Sequence, residues 1–247
     1  MIPLYYDFHL HSCLSPCGDD DMTPANIVGM AFLNGLDVIA LTDHNTCKNC
    51  ASAMFHGQNY GVTVIPGMEL TTAEEVHVVC LFPTLEDAMA FDSYVYDHLL
   101  PIKNKEEIFG KQQIMDENDQ VIGTVENLLI NATDIYFDDV FDLVSSFNGL
   151  AFPAHVDKTS TSLLSNLGFV PPGSTFTCAE IHDYKNLHRI QNDHPHFLKC
   201  NMLSSSDAHY LVDIRQAQYQ IFSESKDIKD ILKAIQDNSK LNEVFLK

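Results

Sequence analysis

Basic residues are scarce in this chain. Lys and Arg number 14 against 34 Asp and Glu, a formal net charge of −20 over 247 residues. Proteins grip nucleic acid by neutralising phosphates with Lys and Arg, so this balance argues against long nucleic acid as a partner. It leaves room for one small phosphorylated substrate, because acidic side chains that hold cations reverse the local charge. Long apolar runs are also missing. Nothing approaches the ~20 residues that span a bilayer, so no membrane partner is expected. The opening MIPLYYDFHLHS has neither a basic segment nor a long apolar one. That argues against a signal peptide and for a cytoplasmic protein. Repeats and low-complexity stretches are absent. Seven cysteines, an odd number scattered without a secretory signal, read as reduced thiols. Nothing in the composition speaks to oligomeric state.

What is present suits one large globular domain: 45% of residues are hydrophobic and the length fits a single α/β barrel. Short β-rich runs alternate with helical stretches, the pattern of a parallel α/β fold. The runs at 4–8, 37–41, 62–65, 76–82, 150–152, 177–181, 201–204 and 217–222 are predicted strands. Thr23 is a candidate N-cap with Pro24 at the first helical position, and Ile27, Val28, Ala31 and Phe32 form an apolar stripe ending at Gly35. Helices are also predicted over 85–99 and 228–235. The stretch 103–133 holds a turn-like MDENDQVIG and then VENLLINA, which reads as helical. It is expected to be an insertion over one end of the barrel, where insertions shape substrate pockets.

Placing His, Asp and Glu on these strands gives a pattern. His9 and His11 follow the first strand, His44 the second and Glu69 the third; His77 lies in the fourth. His155 follows a later strand, and Asp207 and His209 follow the last but one. Asp19, Asp20 and Asp21 lie in the loop after His11. In a parallel barrel the C-terminal strand ends meet at one rim, so these residues would share a pocket. A single His-x-His is weak in a chain with 12 histidines. Six strand ends that all carry ligand-type residues are not explained by chance. Imidazole and carboxylate donors together suit Zn, Mn or Fe. The cluster exceeds what one tetrahedral site needs, so it implies two or three divalent ions, with Glu69 a candidate bridge.

The motifs His9-Leu10-His11-Ser12, Thr42-Asp43-His44, Gly67-Met68-Glu69, His77, Pro153-Ala154-His155 and Ser206-Asp207-Ala208-His209 resemble, in order and spacing, those of the polymerase-and-histidinol-phosphatase (PHP) family. The resemblance runs from Leu4 to about Arg215. It implies a distorted (β/α)7 TIM-like barrel and hydrolysis of a phosphoester by a metal-activated hydroxide. It further implies that His9, His11, Glu69 and Asp207 hold one metal and that Glu69, His77 and His155 hold a second. An aspartate after the His-x-His would join His44 and His209 at a third. Counting back from Pro24 favours Asp19 for that position, and the longer loop here leaves Asp20 open.

The expected activity is that of a metal-dependent phosphoesterase acting on a small phosphomonoester or phosphodiester. A nuclease of short oligonucleotides and an amidohydrolase-like enzyme are the alternatives. His44 or His209 could protonate the leaving group. Lys48, Lys158 and Arg215 each sit just past a ligand position and are candidates for holding substrate phosphate. Cys47 and Cys50 form a CxxC beside His44 but lack thioredoxin context, which favours ordinary thiols. His182 could reach the pocket, Glu180 could support it from its strand, and His56 and His98 read as surface residues.

Overall fold

Thr23 caps the first helix as its chemistry requires: its hydroxyl accepts from the Asn26 N–H, and Pro24 occupies the first turn. The structure, a computed structural model, describes residues 1–237. Along the chain it runs β1 (Ile2–Leu10), α1 (Pro24–Leu33), β2 (Val38–Leu41), α2 (Cys50–Tyr60), β3 (Thr63–Thr71), β4 (His77–Leu81) and α3 (Leu85–His98). Then come α4 (Glu106–Phe109), β5 (Gln113–Met115), β6 (Val121–Thr124), α5 (Phe137–Ser146), β7 (Leu150–Pro153) and α6 (Leu163–Asn166). The remainder is β8 (Cys178–Glu180), α7 (Leu187–Asp193), β9 (Asn201–Leu203), β10 (Gln220–Ser223) and α8 (Ile228–Gln236). Among the described residues no helix is long and apolar enough to cross a membrane.

The sheet is mixed rather than parallel. Its order is β10-β1-β2-β3-β4-β7, with β1, β2 and β3 parallel and the β3–β4, β4–β7 and β1–β10 pairs antiparallel. The cause is local. Only a tight turn separates Thr71 from His77, far too short for the crossover that a parallel pair needs. The reversal matters to the site. His77 opens β4 opposite Thr71, so the N-terminal end of that strand meets the C-terminal ends of its neighbours.

A second correction concerns closure. The six strands make a curled half-barrel, and β8 and β9 form a separate parallel pair, so the expected complete (β/α)7 barrel is not what the ladders show. Isolated backbone bonds rather than ladders join that pair to the sheet: Val156 N–H to the Glu180 carbonyl at 2.9 Å on one side, and Asp207 N–H to the His9 carbonyl at 3.0 Å with His11 N–H to the Ala208 carbonyl at 3.1 Å on the other.

Two apolar clusters show which face is which. Leu4, Phe8, Val79, Phe152 and Leu203 pack inside the curl, joined by Ile231 and Ile235 of α8. Ile27, Ala53, Phe91 and Val144 of the helices pack with Leu10, Ile39 and Val78 on the outer face. Side chains two apart on a strand share a face. Phe8 and Leu10 do not, and the β1–β2 register shifts between Asp7 and Leu10. This irregularity turns His9 and His11 inward above Phe8, as β-bulges beside active sites commonly re-aim side chains.

The 125–132 segment expected to be helical is not. Leu129 and the Val125 neighbourhood pack with Leu14 and Leu99, and the backbone carbonyls of Leu129 and Asn131 accept from Asn45 while those of Val125 and Asn127 accept from Gln112. Side chains elsewhere in the fold therefore take the acceptors that a helix would use for itself.

Candidate metal centre

Glu69 is the hub. It is nearly fully buried, yet five histidines face its carboxylate. Oε1 lies 3.2 Å from His9 Nε2, 2.8 Å from His77 Nδ1 and 3.1 Å from His155 Nε2. Oε2 lies 3.3 Å from His11 Nε2 and 3.1 Å from His44 Nδ1. Asp207 Oδ1 completes one side, 3.5 Å from His9 Nε2 and 3.2 Å from His11 Nε2. His209 stacks on His11 with ring centroids 4.3 Å apart. Residues from strands β1, β3 and β4 and from the loops after β1, β2, β7 and β9 thus meet at one point.

The residues fit a group of divalent ions. His9 Nε2, His11 Nε2, His44 Nδ1, His155 Nδ1 and Asp207 Oδ1 are buried and have no hydrogen-bond partner. Buried polar atoms left unpaired are costly and need a reason; a shared cation is one. Among the described residues three sets place their donor atoms within 4.8 Å of one another: His9, His11, Glu69 and Asp207; His44, Glu69 and His77; and His11, His44 and His209. Imidazole with carboxylate is the donor chemistry of Zn, Mn and Fe sites.

Partners behind the rings decide which nitrogen faces inward. His9 Nδ1 meets Glu180 Oε2 at 2.8 Å, His11 Nδ1 meets Ser15 Oγ at 3.0 Å, and His209 Nδ1 meets the Asp207 carbonyl at 2.8 Å. Each contact leaves Nε2 free for the pocket, the usual outer-sphere arrangement of metal-binding histidines. Ser15 in turn donates to Asp43, which also accepts from the Ser12 backbone and hydroxyl, all at 2.7 Å. The aspartate of the Thr42-Asp43-His44 motif therefore locks the loop after His11. Two of the rim residues sit in the left-handed region, His155 at φ 28° and Asp207 at φ 54°. Such backbone costs on the order of 1–3 kcal/mol each and collects at functional sites.

Charge is arranged accordingly. Burial would raise the Glu69 carboxyl, but His77, His9 and His44 outweigh it and hold the group well below the usual carboxylate range. Asp207 is likewise held low, with His9 and His11 overcoming its burial. For His11, burial opposes the proton, yet Asp207 and Glu69 raise its pKa to about 9. His44 and His209 go the other way. Burial lowers both and neighbouring histidines add repulsion, taking His209 to about 4.

Other expected residues are placed differently. The Asp19 carboxylate accepts from the Asp21 N–H at 2.9 Å and belongs to none of the three sets, although its backbone N–H bonds the His209 carbonyl. Asp20 accepts from Gln113 at 3.2 Å. Lys158 pairs with Asp207 at the pocket, whereas Lys48 is turned away and pairs with Asp92 of α3. Arg215 bonds Ser204 Oγ at 3.0 Å. His182 is exposed, and the side chain of His56, read as surface, is only 14% exposed beside Asp119. Cys47 and Cys50 are buried free thiols that both bond the Gly67 carbonyl. Ser15 carried no sequence signal at all, since a serine in a loop has no period to betray its partner.

Comparison with known proteins follows the motifs. The PHP domain model matches residues 7–168, a span that takes in His9 through His155 and stops short of Asp207 and His209. A 5′-3′ exoribonuclease of Haemophilus influenzae is 34% identical over 79 residues, 31% of this chain and 28% of that enzyme. An uncharacterised protein of Methanocaldococcus jannaschii is 33% identical over 76 residues, 44% of its length. The chain therefore spans less than half of either curated relative. Among solved structures, the lesion-specific endonuclease Q of Pyrococcus furiosus superposes with TM-score 0.66 at 18% identity, covering 95% of this chain and 56% of that one. An amidohydrolase from Chromobacterium violaceum, with bound sulfate and no metal, superposes with TM-score 0.58 at 16% identity over 93% and 96%.

One finding overturns an expectation. Endonuclease Q in complex with a 27-mer duplex, an abasic lesion at its active site, superposes with TM-score 0.67 at 18% identity, covering 95% of this chain and 57% of that one. The same fold accommodates a long nucleic acid, so the exclusion drawn from net charge does not stand. Net charge sums the whole surface, and a fold's cleft can receive a polyanion locally. With the family model spanning most of the motif set and the buried cluster offering donors that could hold metal ions, this chain belongs to the PHP domain family.

Proposed function

We propose that the chain hydrolyses phosphoesters at a multinuclear centre built from His9, His11, His44, Glu69, His77, His155, Asp207 and His209. The observation that carries this reading is the convergence of four buried, unpaired donor atoms, those of His9, His11, His44 and Asp207, around Glu69. Divalent metals bound together supply Lewis acidity toward phosphoryl oxygens and lower the pKa of water. Glu69, whose two oxygens face different histidines and which belongs to two of the three sets, would help to hold more than one ion. His209 is neutral at physiological pH in the metal-free protein, which suits a lone-pair donor better than a proton donor. Lys158 stays protonated at the pocket: burial opposes its charge, but Asp207 more than restores it. Its ammonium is a ready contact for a substrate phosphate. Lys48, neutralised by Asp92, is the weaker candidate for that role.

A nuclease is the second reading, favoured by the endonuclease Q and exoribonuclease likenesses. One screen tests both. Purified chain supplied with Mn²⁺ is assayed against p-nitrophenyl phosphate, bis-p-nitrophenyl phosphate, mononucleotides, single strands and an abasic duplex, with carboxyl esters and amides as controls. Chelator-sensitive cleavage of phosphoesters alone is expected. Turnover confined to the carboxyl esters or amides would contradict the proposal.

A further inference from the structure

We propose that Glu180 is a positioning residue that fixes two metal-facing histidines at once, an inference that rests on the metal-centre reading above. Glu180 ends β8 and is buried, with 1% of its surface exposed. A carboxylate in such a place is costly unless it is paired. Its Oε2 accepts from two partners, His9 Nδ1 at 2.8 Å and the His155 backbone N–H at 3.0 Å. Its backbone carbonyl accepts from Val156 N–H at 2.9 Å. His9 comes from β1 and His155 follows β7, strands near opposite edges of the six-stranded sheet. One side chain therefore spans the gap that the incomplete barrel leaves.

The two contacts do different things. The bond to His9 places the proton on Nδ1 and aims the Nε2 lone pair at Glu69 and Asp207. A carboxylate there also strengthens the ring as a metal donor, as outer-sphere carboxylates do for ligating histidines. The bond to His155 anchors a residue in left-handed backbone, φ 28°, which a histidine rarely adopts without support. Nothing links Glu180 to the third set. His11 is braced by Ser15 instead, and His209 by its own loop. The role is consequently selective: Glu180 serves the ions held by His9 and His155, and not an ion held by His11, His44 and His209.

Glu180→Gln tests this, because it keeps the volume and an acceptor oxygen but removes the charge. Wild type and variant, as full chains freed of metal, are titrated with Mn²⁺ by calorimetry, and their metal-free unfolding midpoints are compared. The variant should keep its midpoint and bind some of the ions about 10–100-fold more weakly, with the remaining binding event unchanged. A folded variant that binds every ion as tightly as wild type overturns the proposal, and so does equal weakening of every ion. A wild type that binds no more than one ion overturns the metal-centre reading and this proposal with it. A measurement on wild type alone covers a variant that fails to fold. In ¹⁵N spectra of the Zn²⁺-loaded chain, His9 should carry its proton on Nδ1 and metal on Nε2; the reverse arrangement overturns the proposal.

Discussion

At the scale of single residues, the site rests on how few groups separate ordinary burial from chemistry. Glu69 is one carboxylate among five imidazoles, so its removal should unbalance the whole cluster. Glu69→Gln is expected to lower metal content by at least one ion per chain. It should also cut turnover by more than the ~10–100-fold typical of losing an outer partner. Asp19→Asn is the contrast: its carboxylate caps its own loop, so metal content should stay at the wild-type value. Elemental analysis of the two variants side by side checks both. The histidine and Glu69 positions were legible in the sequence because each falls at a strand end or opens a strand, where the period-two pattern breaks into short motifs. Ser15 and the double role of Glu180 were not. Their partners lie on other strands, and only the folded chain brings them together.

At the scale of elements, the strands were easier to read from the residue pattern than their directions. All eight predicted runs became strands, but the turn from Thr71 to His77 reverses β4, and this is what delivers His77 to the rim. Helix α5 had a usable signal in Phe137, Val140, Phe141 and Val144, with Asp138 and Asp139 in its first turn. The 125–132 segment misled because its apolar residues pack against Leu14 and Leu99 in irregular backbone. Helix α1 supplies a measurable test. Thr23 both caps the helix and donates to Asp119 of the β5–β6 hairpin at 2.7 Å. Thr23→Ala should cost about 1–2 kcal/mol of stability through the lost cap. Urea unfolding of the two proteins measures it, and a difference near zero would show that the cap contributes nothing here.

The whole molecule couples its metal centre to its stability through protons. In the metal-free chain His11 binds its proton more tightly folded than unfolded, at about 9 against the ordinary 6.5. The stability this gives is complete below pH 6.5 and is lost as pH rises through about 9. Metal binding requires those nitrogens unprotonated, so the stabilisation by metal grows over the same range. Thermal unfolding of wild type and His11→Gln, metal-free, from pH 6.5 to 9 should show a falling midpoint for wild type and a shallower fall for the variant. With Mn²⁺ present, the gain over the metal-free midpoint should widen as pH rises. A gain that shrinks would break the link between His11 and the metals. Net charge, the coarsest property of the molecule, proved the poorest guide to partners, because a sum over the surface carries no information about one cleft.

The count of bound metals tests the account most directly. Chain purified after growth with supplemented Mn, Zn and Fe, then passed free of loose ions, is analysed by mass spectrometry of its elements against protein concentration from amino-acid analysis. The buried convergence on Glu69 and Asp207 predicts two or three transition-metal ions per chain, removed together with hydrolytic activity by a chelator and restored by adding metal back. One ion per chain or none, in protein that still hydrolyses its substrate, would contradict it.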